Sequence, residues 1–202
     1  MNPYKINDVF TQNQIDVLNK IINNTKKSVD KVLGRAMIGD IKNSFTEDIM
    51  DRLYQISKEA TGLSLSIDHA LYVEYSKRYG IPNLPPHFDR DKNCLIINFQ
   101  LSANTSWDLG LNEDTYKIED NSAVLFNGNT EIHWRPHKVF KDGEYVKMIF
   151  IRFFNPKNIV DNSHLESIQD SDFFKSINKL RDSGLTDIEK NVILQALDSF
   201  RR

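Results

Sequence analysis

Of the five histidines in this 202-residue chain, His87 stands where chemistry is easiest to build. It opens His87-Phe88-Asp89. In an extended segment residues two apart point to the same side, so an imidazole and a carboxylate converge. Two histidines and one carboxylate hold Fe(II) from one side and leave positions open, as non-haem iron oxygenases need for a chelating substrate and dioxygen. A His-x-Asp alone is a weak signal. Its setting adds weight. The motif follows Pro85-Pro86 and precedes an apolar strand candidate, and a third candidate ligand, His133, lies downstream in Glu131-Ile132-His133-Trp134-Arg135-Pro136. His137 is the alternative for that third place. His69 and His164 fall outside the pattern and read as surface residues.

Composition bounds the setting. With 26 basic against 28 acidic side chains and a net charge of −2, the chain lacks the basic excess of a dedicated nucleic-acid binder. No apolar run reaches the ~18 residues of a membrane span, and no signal-peptide pattern follows Met1. Cys94 is the single cysteine, which excludes an internal disulfide framework and a cysteine-based zinc site and fits a reducing compartment, so a cytoplasmic location is expected. The length suits one sizeable core with at most a small appendage.

The elements that must position the motif fall into three zones. A first helix is predicted from Gln12 to Leu33, with a capping box at Thr11 and Gln14 and a stop at Gly34. A second is predicted from the capping box Ser44-Phe45-Thr46-Glu47 to Gly62. The centre reads as short strands: Leu71 to Tyr75, Cys94 to Leu101, the alternating stretch Trp107 to Leu111, Ala123 to Phe126 before the turn Asn127-Gly128, and Tyr145 to Phe154 after Asp142-Gly143. Strands not alternating with helices predict an antiparallel sandwich or barrel with helices packed outside. Ser171 to Leu180 and a segment capped at Thr186 predict two short helices at the far end.

From Tyr72 to Phe154 the chain resembles the 2-oxoglutarate- and Fe(II)-dependent dioxygenases of the prolyl-4-hydroxylase-like kind. The resemblance is carried by Tyr75, then His87-Phe88-Asp89-Arg90 followed by Cys94, then Trp107-x-Leu109, Phe126-x-Gly128 and His133-Trp134-Arg135. It implies an α+β, mainly β, fold: a double-stranded β-helix (jelly roll, cupin-like) with flanking helices. It implies Fe(II) on His87, Asp89 and His133, 2-oxoglutarate as co-substrate and dioxygen, with no catalytic residue beyond the metal ligands. It also implies a tyrosine entering the site, Tyr75, and a base for the distal carboxylate of 2-oxoglutarate. Lys147 is favoured for that base, with Arg135, which shares a strand face with His133, and Arg152 as alternatives. Asn98 and Gln100 are polar residues in an apolar strand, and one of them could face a bound acid or both could be satisfied in the core. Trp107 and Trp134 read as core or pocket wall.

The implied activity is hydroxylation of a C–H bond of an amino acid, peptide or small metabolite, with decarboxylation of 2-oxoglutarate to succinate. The competing reading is a non-catalytic jelly-roll binding or structural module. A cupin-like isomerase fits less well, because no cluster of three or four histidines lies on adjacent strands. Residues 1–156 are expected to form one dioxygenase domain, with helices at about 12–61 and the jelly-roll core at about 64–154. Residues 157–202 are expected to form a helical appendage packing on it. The expected partner is a small-molecule or peptide substrate, with no nucleic acid and no membrane; the oligomeric state is left open.

Overall fold

A computed structural model of the protein describes residues 3–89 and 95–154. Cys94 and the C-terminal helices expected after residue 157 lie outside the described residues. The chain begins with a short strand, β1 (Tyr4–Ile6), then helix α1 (Gln12–Asn24), a hairpin of β2 (Ser28–Asp30) and β3 (Arg35–Asp40), and helix α2 (Glu47–Thr61). Seven strands follow: β4 (Ser66–Ser76), β5 (Leu95–Ala103), β6 (Leu109–Leu111), β7 (Asp114–Tyr116), β8 (Ser122–Asn127), β9 (His133–Trp134) and β10 (Tyr145–Phe154).

The strands make two sheets, a large one in the order β1-β8-β5-β10-β4-β3-β2 and a small one in the order β7-β6-β9. The segment around His87 joins the small sheet through an antiparallel bridge to His133. From β4 onward the chain therefore alternates between the sheets: β4 in the large one, the His87 segment in the small one, β5 large, β6 and β7 small, β8 large, β9 small and β10 large. This winding is a double-stranded β-helix.

Side-chain alternation divides the core into two layers. One face of the large sheet turns toward the small sheet and carries Val73, Tyr75, Val146 and Met148, which pack with Trp107, Leu109 and Leu111. The opposite face carries Tyr72, Ile97, Phe99, Ile149 and Ile151, covered by Leu18 and Ile22 of α1 and by Ile49, Leu53 and Ile56 of α2. Central strands buried on both faces read in sequence as unbroken apolar runs, which is why β5 and β10 stand out there.

Helix α1 starts as expected, with Thr11 and Gln14 completing a reciprocal capping box. It ends at Asn24 and not at Leu33. Thr25 turns extended, Ser28–Asp30 pairs with β3, and Gly34 is a turn residue of the hairpin at φ +60°. Val29, which continued the apparent helical stripe, is 54 % exposed, so its spacing was coincidental. In helix α2 the N-cap position is Thr46 and not Ser44, and no side-chain capping bond forms there; the helix stops at the left-handed Gly62. No helix among the described residues is long and apolar enough to cross a membrane.

Candidate metal centre and its cavity

The bridge between His87 and His133 brings the two imidazoles together. Each residue donates its backbone N–H to the carbonyl of the other, at 3.1 and 3.0 Å, and the ring centroids stand 4.2 Å apart. Asp89 follows two residues later and so shares the side of His87. Its N–H donates to the Gly128 carbonyl at 2.8 Å, and the Asn129 side-chain amide donates to the Asp89 carbonyl at 2.9 Å. One potential ligand atom from each of His87, Asp89 and His133 lies within 4.8 Å of the other two.

Local hydrogen bonds orient the rings for that purpose. Nδ1 of His87 lies 2.7 Å from the Pro85 carbonyl, and Nδ1 of His133 lies 3.1 Å from the Glu131 carbonyl. A carbonyl can only accept, so each Nδ1 carries the proton and each Nε2 keeps its lone pair, the tautomer a metal requires. Nε2 of His133 is 3.6 Å from Oδ2 of Asp89. Burial, then the neighbouring His87, pushes the His133 imidazole down to about 3. His133 is therefore neutral at physiological pH, with its lone pair unspent.

Gly128 makes the room. A Cβ there would sit 2.4 Å from Oδ2 of Asp89 and 2.7 Å from Cδ1 of Ile96. The substitution Gly128→Ala is thus expected to displace the Asp89 carboxylate and weaken binding of a divalent metal by roughly tenfold or more, the scale of a disturbed ligand environment. Metal titration monitored by calorimetry checks this, with circular dichroism expected to report an unchanged fold. Unaltered affinity would mean that Asp89 does not need its present position.

The triad opens onto a cavity of about 450 Å³ between the sheets, lined by Leu71, Ile96, Phe126, Trp134 and Phe150 among others, with Leu33 and Leu84 also in the lining. Its polar lining is dominated by bases: Arg35, His69, Arg135 and Arg152. Arg135 is 5 % exposed. Its guanidinium stacks 5.0 Å from the Trp107 ring centroid, donates from Nη1 to the Trp107 carbonyl, and donates from Nη2 to Oδ1 of Asn98 at 3.3 Å. Burial lowers it to about 10, which leaves it protonated at neutral pH. Among the described residues no carboxylate lies within 4.0 Å of it. Nearby, Tyr75 is fully buried, packs edge-on against Trp107 with centroids 4.8 Å apart, and its hydroxyl has no hydrogen-bond partner within 3.5 Å among the described residues.

The sequence-predicted residues distribute unevenly around this cavity. His87, Asp89, His133, Asn98, Arg135 and Arg152 line it. Lys147 does not. On β10 it alternates with Val146 and Met148, which face inward, and it stands opposite Glu74 in the neighbouring strand. Its ammonium lies 5.0 Å from the Tyr145 ring centroid, beside a separate surface depression lined by Glu74, Ser76 and Lys77. Arg152 reaches the cavity, but Nε and Nη2 also contact Oδ2 of Asp68 at 2.9 and 2.8 Å. His137 is exposed and outside the triad. The side-chain amide of Gln100 donates to Oδ1 of Asp120 at 3.0 Å, a satisfied amide, whereas Asn98 faces the cavity.

Trp134, read as core or pocket wall, lines the cavity and covers Gly110, where a Cβ would meet the indole at 2.1 Å. Two participants were not anticipated. His69, read as a surface residue, lines the cavity and lies 3.7 Å from Asp40. Arg35 enters from β3, and nothing in its local sequence distinguishes it from a solvated base.

No protein-family model and no curated protein matches the chain. Solved structures do. The chain is similar to the non-heme alpha ketoglutarate dependent epimerase SnoN from nogalamycin biosynthesis, over 76 % of this chain and 76 % of that one, at TM-score 0.60 and 8 % identity. It is similar to HygX from Streptomyces hygroscopicus with nickel and 2-oxoglutarate bound, over 77 % and 83 %, at TM-score 0.58 and 11 % identity. The viral collagen prolyl hydroxylase vCPH from Paramecium Bursaria Chlorella virus-1, in its 2OG complex, aligns over 76 % and 95 %, at TM-score 0.54 and 11 % identity. At such identities the likeness establishes the architecture, and the chain has the double-stranded β-helix fold these proteins share.

Proposed function

We propose that the protein is a 2-oxoglutarate- and Fe(II)-dependent oxygenase whose metal is held by His87, Asp89 and His133. The carrying observation is the convergence of those three donors, both imidazoles in the ligating tautomer, at the wall of a cavity that also holds a buried arginine with no carboxylate of the described residues within 4.0 Å. A buried cation of this kind is costly unless an anion joins it. A dicarboxylate that chelates the metal at one end supplies that anion at the other. We assign the distal carboxylate to Arg135, and not to Lys147, with the Tyr75 hydroxyl as a further donor.

With iron bound, the family's chemistry couples loss of CO2 from 2-oxoglutarate to insertion of one atom of dioxygen into a C–H bond. The chain's own residues do the rest. His87 and His133 offer neutral nitrogens and Asp89 one negative charge, so the site carries less charge than a divalent ion and leaves positions for other ligands. Arg135 orients the co-substrate by a fixed planar fork. Phe126, Phe150 and Ile96 keep the reacting end apolar and restrict water.

Support for a substrate of modest size comes from the cavity, whose volume must also house the co-substrate. Similar folds act on different scales: one related structure holds hygromycin B, another a peptide fragment. A small molecule or the side chain of a peptide is the substrate class proposed here.

The test is turnover of 2-oxoglutarate without added substrate. The purified chain, loaded with Fe(II) under argon and then exposed to air, is expected to form succinate detectable by NMR above a metal-free control. Stoichiometric metal binding with no succinate, in the presence of a broad panel of small acids and peptides, would favour the non-catalytic jelly-roll module.

A further inference from the structure

Arg35 lies outside the β-helix, on the strand β3 that extends the large sheet, yet it lines the same cavity as Arg135. Among the described residues neither its Nε nor the Tyr75 hydroxyl beside it has a hydrogen-bond partner within 3.5 Å, and the Arg35 guanidinium is near enough to the phenol to act on it as a donor. Burial pushes the Tyr75 phenol up and the Asp30 carboxylate adds to the rise, while Arg35, by its charge and as a donor, and Arg135 oppose it. Tyr75 thus stands in the field of both guanidiniums. Asp30 is the cross-strand partner of Arg35, but its Oδ1 accepts from the N–H groups of Val32 and Leu33, both at 3.0 Å. Among the described residues no carboxylate lies within 4.0 Å of Arg35.

The backbone fixes Arg35 in place. Gly34, next to it, is left-handed, and a Cβ there would lie 2.3 Å from the Ile81 carbonyl oxygen. The Asn83 N–H donates to the Leu33 carbonyl at 3.3 Å, and the Arg135 N–H donates to the Leu84 carbonyl at 3.0 Å. One short loop therefore anchors the strands of both arginines. Two like charges held toward one buried hydroxyl repel each other unless an anion sits between them.

We propose that Arg35 is a second binding residue for the co-substrate, completing with Arg135 and Tyr75 a three-donor site for the distal carboxylate of 2-oxoglutarate. This rests on the oxygenase reading above. It adds that the co-substrate site is closed by the β2–β3 hairpin, an element outside the winding that carries the metal ligands. A carboxylate has lone pairs enough to accept from both forks and from the phenol.

The experiment is calorimetric titration under argon of Fe(II)-loaded wild type and R35Q with two ligands, 2-oxoglutarate and 2-oxopentanoate, which keeps the chelating end but lacks the distal carboxylate. R35Q is expected to bind 2-oxoglutarate about tenfold more weakly, the worth of one charge-assisted hydrogen bond. It should bind 2-oxopentanoate and Fe(II) as wild type does. R35K, which keeps the charge but not the fork, is expected to recover part of the loss, and carries the same comparison if R35Q does not fold. Equal affinity of R35Q and wild type for 2-oxoglutarate would overturn the proposal and leave the oxygenase reading intact. An equal loss for both ligands would also overturn it, by placing the role of Arg35 in the fold or at the metal end. Failure of metal-loaded wild type to bind 2-oxoglutarate at all would remove the oxygenase reading, and this proposal with it.

Discussion

Changing His87 to alanine is expected to abolish stoichiometric Fe(II) binding and leave the fold in place. The side chain is only half buried, and the bridge to His133 is made by backbone groups that alanine retains. The remaining pair, Asp89 and His133, offers two donors on one side of the ion, and removing the third should cost more than the 10- to 100-fold typical of losing an outer-shell partner. Anaerobic titration with iron and elemental analysis after gel filtration both measure this. His137→Ala is the control, since that ring is exposed and away from the triad, and its affinity should match wild type. A His87→Ala protein that still carries a full complement of iron would show that the metal sits elsewhere. Loss of iron with His137→Ala would return the distal role to that residue.

The second large effect is expected at Arg135. Replacing it with glutamine removes the buried charge that faces the cavity and should raise the dissociation constant for 2-oxoglutarate by about 100-fold, within the 2–5 kcal/mol spanned by losing one partner of a buried charge pair. Iron affinity should be little changed, because Arg135 does not touch the triad in the described contacts. The arginine also bonds Trp107 and Asn98, so thermal unfolding must accompany the titration. Lys147→Ala should leave co-substrate binding untouched. The opposite pattern, with Lys147 essential and Arg135 dispensable, would require β10 to present its other face to the cavity and would refute the assignment.

The positions of these two bases, one lining the cavity and one outside it, show which parts of the site a sequence makes legible. His87 and Asp89 were legible because two residues at i and i+2 on an extended chain converge whatever the register. His133 was legible through the order of motifs around it. Lys147 depended on parity along β10, and a slip of one residue sends every side chain to the other face. That strand is apolar on both faces, so hydrophobic alternation gave no clue, and its pairing with β5 is interrupted between Lys147 and Met148. Arg35 was hidden for a different reason. The stripe of α1 ran on by coincidence into Val29 and Leu33, concealing the hairpin that delivers the arginine, and a three-residue edge strand carries too few residues to announce a period. Tyr75 and Asn98 were singled out in sequence, yet only the packed structure shows that one buries its hydroxyl beside Arg35 and the other holds the Arg135 guanidinium.

The paired amides between His87 and His133 also bear on how long the polypeptide lasts. Among the described residues that bridge is the one β-pairing of the His87 segment with β9, flanked by single hydrogen bonds from the Arg135 N–H to the Leu84 carbonyl and from the Asp89 N–H to the Gly128 carbonyl. So short a pairing is a natural place for local opening, and opening there separates two of the three donors. An ion bound across them acts as a staple that ties distant stretches of chain and favours the closed form by mass action, by about 2.7 kcal/mol at a hundredfold excess over the dissociation constant. Under the oxygenase proposal, resistance to proteolysis near residue 87 is expected to follow the supply of iron, tying the chain's survival to the ion its proposed chemistry needs.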